Sequence, residues 1–252
     1  MNRQLSPVPG PWSLFLSAVT DLIFPPLCHA CKVFIPEAGA VQICKDCLAG
    51  SPPSEPPHCT VCGIPFLTAG GCDHRCGGCI RQQPHFTAAR SAVLFDGPVR
   101  DLVHRFKYGK LVQHCRPLGL LMADRLREPA MVAEADMVIP VPLHIRRLRE
   151  RGFNQTVLLA EILAKQWRLP LSRDNLRRTR WTEPQINLSA AERQENVRGA
   201  FAVHDEAGVR KRRIILVDDV YTTGSTVDEC ARTLGKSGAG AVFVMTVARA
   251  VN

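Results

Sequence analysis

Residues 214–217 are four branched apolar residues in a row, the pattern of a strand buried on both faces. Asp218 and Asp219 follow where such a strand should end. Residues 222–226 form a small, hydroxylated loop centred on Gly224. Val227, Cys230, Ala231 and Leu234 then recur at helical spacing, so the loop opens a helix running to about Lys236. The same alternation is visible upstream. Residues 91–95 read as a strand, 96–98 as a turn, and 99–108 as a helix with Val99, Leu102, Val103 and Phe106 on one face. A second helix is expected over 118–126, and residues 137–141 read as a buried strand leading into Pro142, Leu143 and His144. Residues 146–151, with four arginines, read as a basic loop entering a helix N-capped by Asn154. Residues 168–200 are polar and weakly periodic, with a short helix over 189–197 and a short strand over 200–203. A last strand covers 241–248. Strands alternating with helices predict an α/β fold with a mostly parallel sheet, flanking helices and right-handed connections, occupying residues 88–252 after a linker at 81–90.

The first third of the chain follows another rule. Nine of the eleven cysteines lie between Cys28 and Cys79, and two-residue separations occur at Cys28/Cys31, Cys44/Cys47, Cys59/Cys62 and Cys76/Cys79. That spacing suits zinc knuckles, and residues 28–80 hold too few large aliphatics to fold around a core of their own. The simplest grouping puts one Zn²⁺ on Cys28, Cys31, Cys44 and Cys47 and a second on Cys59, Cys62, Cys76 and Cys79; interleaved pairing satisfies the same spacing. Cys72 and His74 are spare candidates. Four thiolates leave no open coordination position, so the metal role is structural. Residues 1–27 form a lead-in whose segment 12–24 is amphipathic, broken by Asp21 and stopped by Pro25 and Pro26, too short to span a bilayer.

Composition narrows the partners. The chain has 252 residues, 46% hydrophobic, and a net charge of +9, which favours phosphate-bearing metabolites, nucleic acid or an acidic membrane surface. An aromatic share of 6% makes stacking platforms sparse. A strand, a tight hydroxylated loop and a helix start make an anion cradle, since backbone N–H groups point at the ligand and Gly permits close approach. Two adjacent carboxylates beside it suit a ligand that also offers hydroxyls or carries a divalent metal.

Residues 214–226 resemble the motif by which type I phosphoribosyltransferases bind phosphoribosyl pyrophosphate (PRPP). The resemblance implies that Asp218 and Asp219 hold the ribose hydroxyls and that the stretch from Val220 through Thr222, Thr223, Gly224, Ser225 and Thr226 wraps the 5-phosphate. It also puts a pyrophosphate loop at Pro142, Leu143, His144 and Arg146, with Arg147 and Arg151 as nearby cations and Lys107, Asn154, Gln155 and Arg193 as further contacts. Asp218, Asp219 and Arg151 then carry the chemistry, and Mg²⁺ accompanies PRPP. Taken with Phe24-Pro25, the zinc pairs, residues 106–108, 140–143 and 151–155, Arg178-Thr179, Gln185, Leu188, Arg193, Asn196 and Phe201, the chain resembles the ComF/GntX (ComFC) family. That similarity implies a double zinc ribbon fused to a type I phosphoribosyltransferase fold, a cytoplasmic location, and an association with DNA uptake or use, with competence-machinery proteins as partners. The acceptor of the phosphoribosyl group is left open. The alternative is a single-stranded-DNA-binding competence factor in which PRPP is an effector or relic ligand, motivated by the net charge and the arginines at 146–151 and 173–180.

Overall fold

The computed structural model describes residues 25–36, 39–66, 71–127, 129–182 and 189–251. The amphipathic segment 12–24 and the motif residues Phe24, Gln185 and Leu188 lie outside them. Four parallel strands form the central sheet: β1 (Ala88–Leu94), β2 (Met137–Pro140), β5 (Arg213–Tyr221) and β6 (Ala241–Arg249), in the order β1-β6-β5-β2. A two-stranded antiparallel ladder, β3 (Leu176–Arg178) with β4 (Phe201–Val203), stands apart.

The four-residue run at the start of β5 explains the layering. Ile215 and Val217 belong to one core cluster, Ile214 and Leu216 to the other, and all four are fully buried. Both faces of the strand are therefore covered, as a continuous apolar run requires. On one side lie α3 (Gly97–Tyr108), α4 (Cys115–Arg125) and α7 (Gln155–Trp167), contributing Leu102, Phe106, Met122 and Leu159; on the other lies α9 (Ser225–Lys236) with Val227, Cys230 and Leu234.

The structure differs from the periodicity at several points, each with a local cause. β5 does not end before the acidic pair. It continues through Asp218 and Asp219 to Tyr221, because β6 runs on alongside and pairs Asp218 with Thr246 and Tyr221 with Arg249. β1 starts at Ala88, inside the expected linker, because Ala88 already finds a partner in Phe243. The arginine run is helix α6 (Ile145–Arg151), not a loop: His144 caps it through Nδ1 accepting from the Arg146 N–H at 3.3 Å, and Gly152 ends it at φ 87°. β3 and the short helix α5 (Pro129–Glu134) carry no readable apolar period. Helix α8 (Ala190–Val197) forms as its sequence predicts, with a capping box between Ser189 and Glu192.

The cysteine-rich segment is a duplication visible in its hydrogen bonds. Cys28 N–H donates to Val33 O and Cys59 N–H to Ile64 O, both at 2.8 Å. The turn between them closes with Lys32 to Cys28 and with Gly63 to Cys59, both at 2.9 Å, and Lys32 and Gly63 share a left-handed backbone at φ 66° and 69°. Each ribbon then opens a short helix, α1 (Lys45–Ala49) or α2 (Gly77–Arg81), preceded by the third cysteine, Cys44 or Cys76; the Cys44 sulfur accepts the Cys47 N–H, while Cys76 makes no such bond. The first ribbon sits on α3, where buried Ser51 donates to Cys47 O at 2.9 Å and accepts from Val99 N–H at 3.1 Å. The second docks on β1, with Ala89 N–H donating to Val61 O at 2.7 Å. No described helix is long and apolar enough to cross a membrane.

Candidate functional site

A cleft of about 420 Å³ opens beyond the C-terminal ends of β2 and β5. Asp219 is its buried floor, 4% exposed. Lys107, from the last turn of α3, reaches Asp219 Oδ1 at 2.8 Å, and Gln155 Nε2 donates to Asp219 Oδ2 at 3.0 Å. Arg151 donates to Gln155 Oε1, so the guanidinium braces the amide that braces the carboxylate. Arg151 also lies 5.7 Å from the Tyr108 ring centroid. Asp218 differs from its neighbour: it accepts the Asp219 N–H at 2.8 Å and has no ion pair among the described residues. Burial, then the adjacent Asp219 charge, push the Asp218 carboxyl up to about 7, against the pull of Lys107 and Arg178.

Cations ring the carboxylates. Arg147, Arg151, Arg178 and Arg193 line the cleft with Lys107. Pro142, Leu143, Gln155, Val220, Thr222 and Thr226 line it as well. His144 and Arg146 do not; both turn to Trp181, His144 edge-on at 5.3 Å between ring centroids and Arg146 at 5.7 Å from the centroid, matched by Arg147 at 5.7 Å. Asn154 is taken up by local structure, accepting from Thr156 N–H at 3.2 Å and donating to Val141 O at 3.3 Å. Tyr108 and Arg178, read from the sequence only as motif residues, line the cleft, as does Thr182, to which the sequence assigned nothing; Trp181, likewise unassigned, lies outside it against His144, Arg146 and Arg147. Arg178 falls in the weakly periodic stretch, where no local pattern marks the side chain that turns inward.

The loop after β5 is shaped by Gly224, at φ 81°, where an added Cβ would collide with the Tyr221 hydroxyl. Thr223 Oγ1 and Ser225 Oγ are 2.8 Å apart, and Gly224 O accepts the Asp228 N–H at 2.9 Å as α9 begins. Thr222 lines a second cavity too, of about 580 Å³, against the second ribbon; Thr223, Gly224 and Ser225 line that cavity and not the cleft.

The thiols fall into two groups in sequence order, Cys28/Cys31/Cys44/Cys47 and Cys59/Cys62/Cys76/Cys79, with all ligand atoms in each group within 4.8 Å of one another. Interleaving is thereby excluded, and Cys72 and His74 stand outside both groups. His74 instead stacks on Phe66 at 4.0 Å. Cys31–Cys44 and Cys62–Cys76 sulfurs are 3.7 Å apart. A zinc–sulfur bond of about 2.3 Å gives a tetrahedron edge of roughly 3.8 Å, so both groups fit a structural Zn²⁺. Burial opposes ionisation of Cys28 and Cys59, but backbone N–H groups outweigh it, led by Cys44 on Cys28 and Cys76 on Cys59, and hold both thiols down at about 6.

Comparison with known proteins finds a matching domain family and curated relatives. Residues 19–80 match the double zinc ribbon domain family. The chain is 32% identical over 231 residues to the DNA utilization protein YhgH of Escherichia coli, covering 90% of this chain and 99% of that protein. It is 31% identical over 198 residues to competence protein F of Haemophilus influenzae, covering 77% and 85%. Among solved structures, a purine phosphoribosyltransferase from Pyrococcus horikoshii aligns with 53% of this chain and 87% of its own at 15% identity and a TM-score of 0.34.

Proposed function

The chain belongs to the ComF family, with YhgH and competence protein F, and from that premise we propose that it binds PRPP with Mg²⁺ and transfers the phosphoribosyl group to a nucleophilic acceptor in the service of DNA uptake or use. The observation that carries this reading is one cleft lined at once by Asp218, Asp219, Thr222 and Thr226 and by Lys107, Arg147, Arg151 and Arg178. PRPP offers the matching groups: vicinal hydroxyls, a 5-phosphate and a pyrophosphate.

In this reading the ribose hydroxyls donate to Asp218 and Asp219, while the hydroxyls and N–H groups of residues 222–226 hold the 5-phosphate. Asp219 keeps acceptor capacity, because each carboxylate oxygen has two lone pairs and Lys107 and Gln155 use one apiece. The bond from ribose C1 to the pyrophosphate oxygen breaks as the acceptor bonds to C1, through an oxocarbenium-like transition state. Arg147, Arg151 and Lys107 stabilise the leaving charge. The two carboxylates offer hard oxygen donors, and no third acidic group completes a metal site among the described residues, so Mg²⁺ would be held jointly with substrate phosphates, neutralising the leaving group. His144 caps α6 and packs on Trp181, and has no base role in this scheme.

The test is calorimetric titration of the zinc-loaded protein with PRPP and Mg²⁺ beside an Asp218→Ala/Asp219→Ala variant. Saturable binding is expected, and its loss in the variant; equal binding by both proteins would remove the acidic pair from the site.

A second reading has its own support. Trp181 flanked by Arg146 and Arg147, and exposed Tyr108 beside Arg151, form an arginine–aromatic surface that reaches the cleft through Arg147, Arg151 and Tyr108. With a net charge of +9, such a surface suits single-stranded DNA. Anisotropy of a labelled oligonucleotide should show affinity that falls steeply with salt and weakens about tenfold or more in Trp181→Ala, the scale of one stacked base. Salt-insensitive binding would reject it.

A further inference from the structure

Arg249 ends β6 with its side chain folded inward, 5% exposed. Its Nη1 donates to Cys62 O, its Nη2 to Cys62 Sγ at 3.5 Å, and its guanidinium carbon lies 4.2 Å from the Tyr221 ring centroid. Its Nε has no hydrogen-bond partner, and no carboxylate pairs with it among the described residues. A buried guanidinium without a counter-charge is costly. Four thiolates around Zn²⁺ carry a net charge of −2, and Cys62 is one of the four. The missing counter-charge is therefore the second zinc–thiolate group itself.

Among the described residues the first ribbon shows no such arrangement, although its turn hydrogen bonds copy those of the second. Hydrogen bonds to its sulfurs come from backbone N–H groups, Cys44 to Cys28 at 3.3 Å and Cys47 to Cys44 at 3.5 Å. The arginine that reaches it, Arg105, donates to Ala30 O, not to sulfur. The duplicated ribbons thus differ in a way that their cysteine spacing hides.

Tyr221 carries the contact onward. It is 6% exposed, wedged between Arg249 and an edge-on Phe86 at 6.3 Å, and its hydroxyl lies where any Gly224 side chain would be. Gly224 is the left-handed residue that opens α9. Cys62, Arg249, Tyr221 and Gly224 form an unbroken line of contacts from the second metal site to the loop 222–226. We infer that Arg249 is a positioning residue that neutralises the second zinc–thiolate site and, through Tyr221, ties its occupancy to the order of this loop. The functional weight of the coupling rests on the phosphate-loop reading above; the coupling itself does not.

Arg249→Met and Arg249→Lys test it in the full-length, zinc-loaded protein. Native mass spectrometry under chelator challenge should show one of the two zinc ions leaving Arg249→Met about tenfold faster than wild type, the usual scale for losing an outer-shell partner, while the other leaves at the wild-type rate. Arg249→Lys, which keeps the charge, should fall between. Backbone amide exchange over 221–226 should rise in Arg249→Met, and in Tyr221→Phe without loss of zinc. Release of both zinc ions at wild-type rates from Arg249→Met would overturn the electrostatic half. Loop exchange unchanged after one zinc has left would overturn the coupling. Neither readout uses PRPP, so failure here and failure of the ligand reading are distinguishable.

Discussion

Stripping the zinc should unfold both ribbons and cost about 10 kcal/mol of stabilisation per site, the scale of small structural zinc modules. The first ribbon has little else to hold it: among its described residues Cys28, Ile43 and Cys47 are the buried apolar ones, and two of the three belong to the thiol group that fits the metal. The damage will not stop there. Unfolding takes Ser51 from the Val99 N–H at the start of α3, and α3 carries Lys107 to Asp219. Chelation should therefore broaden the thermal unfolding of the whole chain. Cys47→Ser should lower the zinc content from two to one per chain and expose α3 to hydrogen exchange, while Cys79→Ser should expose β1. A metal-free chain that melts cooperatively at the holo temperature would show that the ribbons are braced by packing alone.

Asp218 and Asp219, adjacent in sequence, should answer oppositely to neutralisation. Asp219→Asn removes the partner of Lys107 and should cost about 1–3 kcal/mol of stability, the range for orphaning a charged hydrogen-bonding group, together with at least a hundredfold of PRPP affinity. Asp218→Asn should lose PRPP binding as well, yet stabilise the free protein by about 1–2 kcal/mol at pH 8, as relief of a destabilised site commonly does. The sign follows from linkage. The folded Asp218 carboxyl sits at about 7, above its ordinary 3.8, so its stabilising contribution is complete below pH 4 and lost as pH rises through 7. Above that the ionised form burdens the fold, and the amide does not ionise. Wild type should accordingly lose stability relative to Asp218→Asn between about pH 4 and 7 in chemical denaturation. Parallel curves for the two proteins across that window would refute the assignment, whatever the outcome with PRPP.

The local features of the chain were legible because they depend on neighbours in sequence. Residues 214–217 predict a strand covered on both faces, and the sheet supplies two cores on alternate residues. Four cysteine pairs predict two metal sites; which pairs combine is decided by the folding of each ribbon. Asn154 caps the helix expected of it, and Ser189 caps the short helix expected over 189–197, since a cap is a contact across two or three residues. What required the tertiary structure lies at long range. The acidic pair sits within β5 because β6 extends alongside it. Lys107 meets Asp219 because α3 ends above the strand that carries the carboxylate. Arg178, in a stretch without periodicity, turns into the cleft because β3 pairs with β4. Arg249 joins Cys62 across 187 residues. Hydrophobic period and ligand spacing are local quantities and the sequence states them; the burial that lifts Asp218 and the charge that holds Arg249 are set by groups far along the chain, and only the assembled fold brings them together.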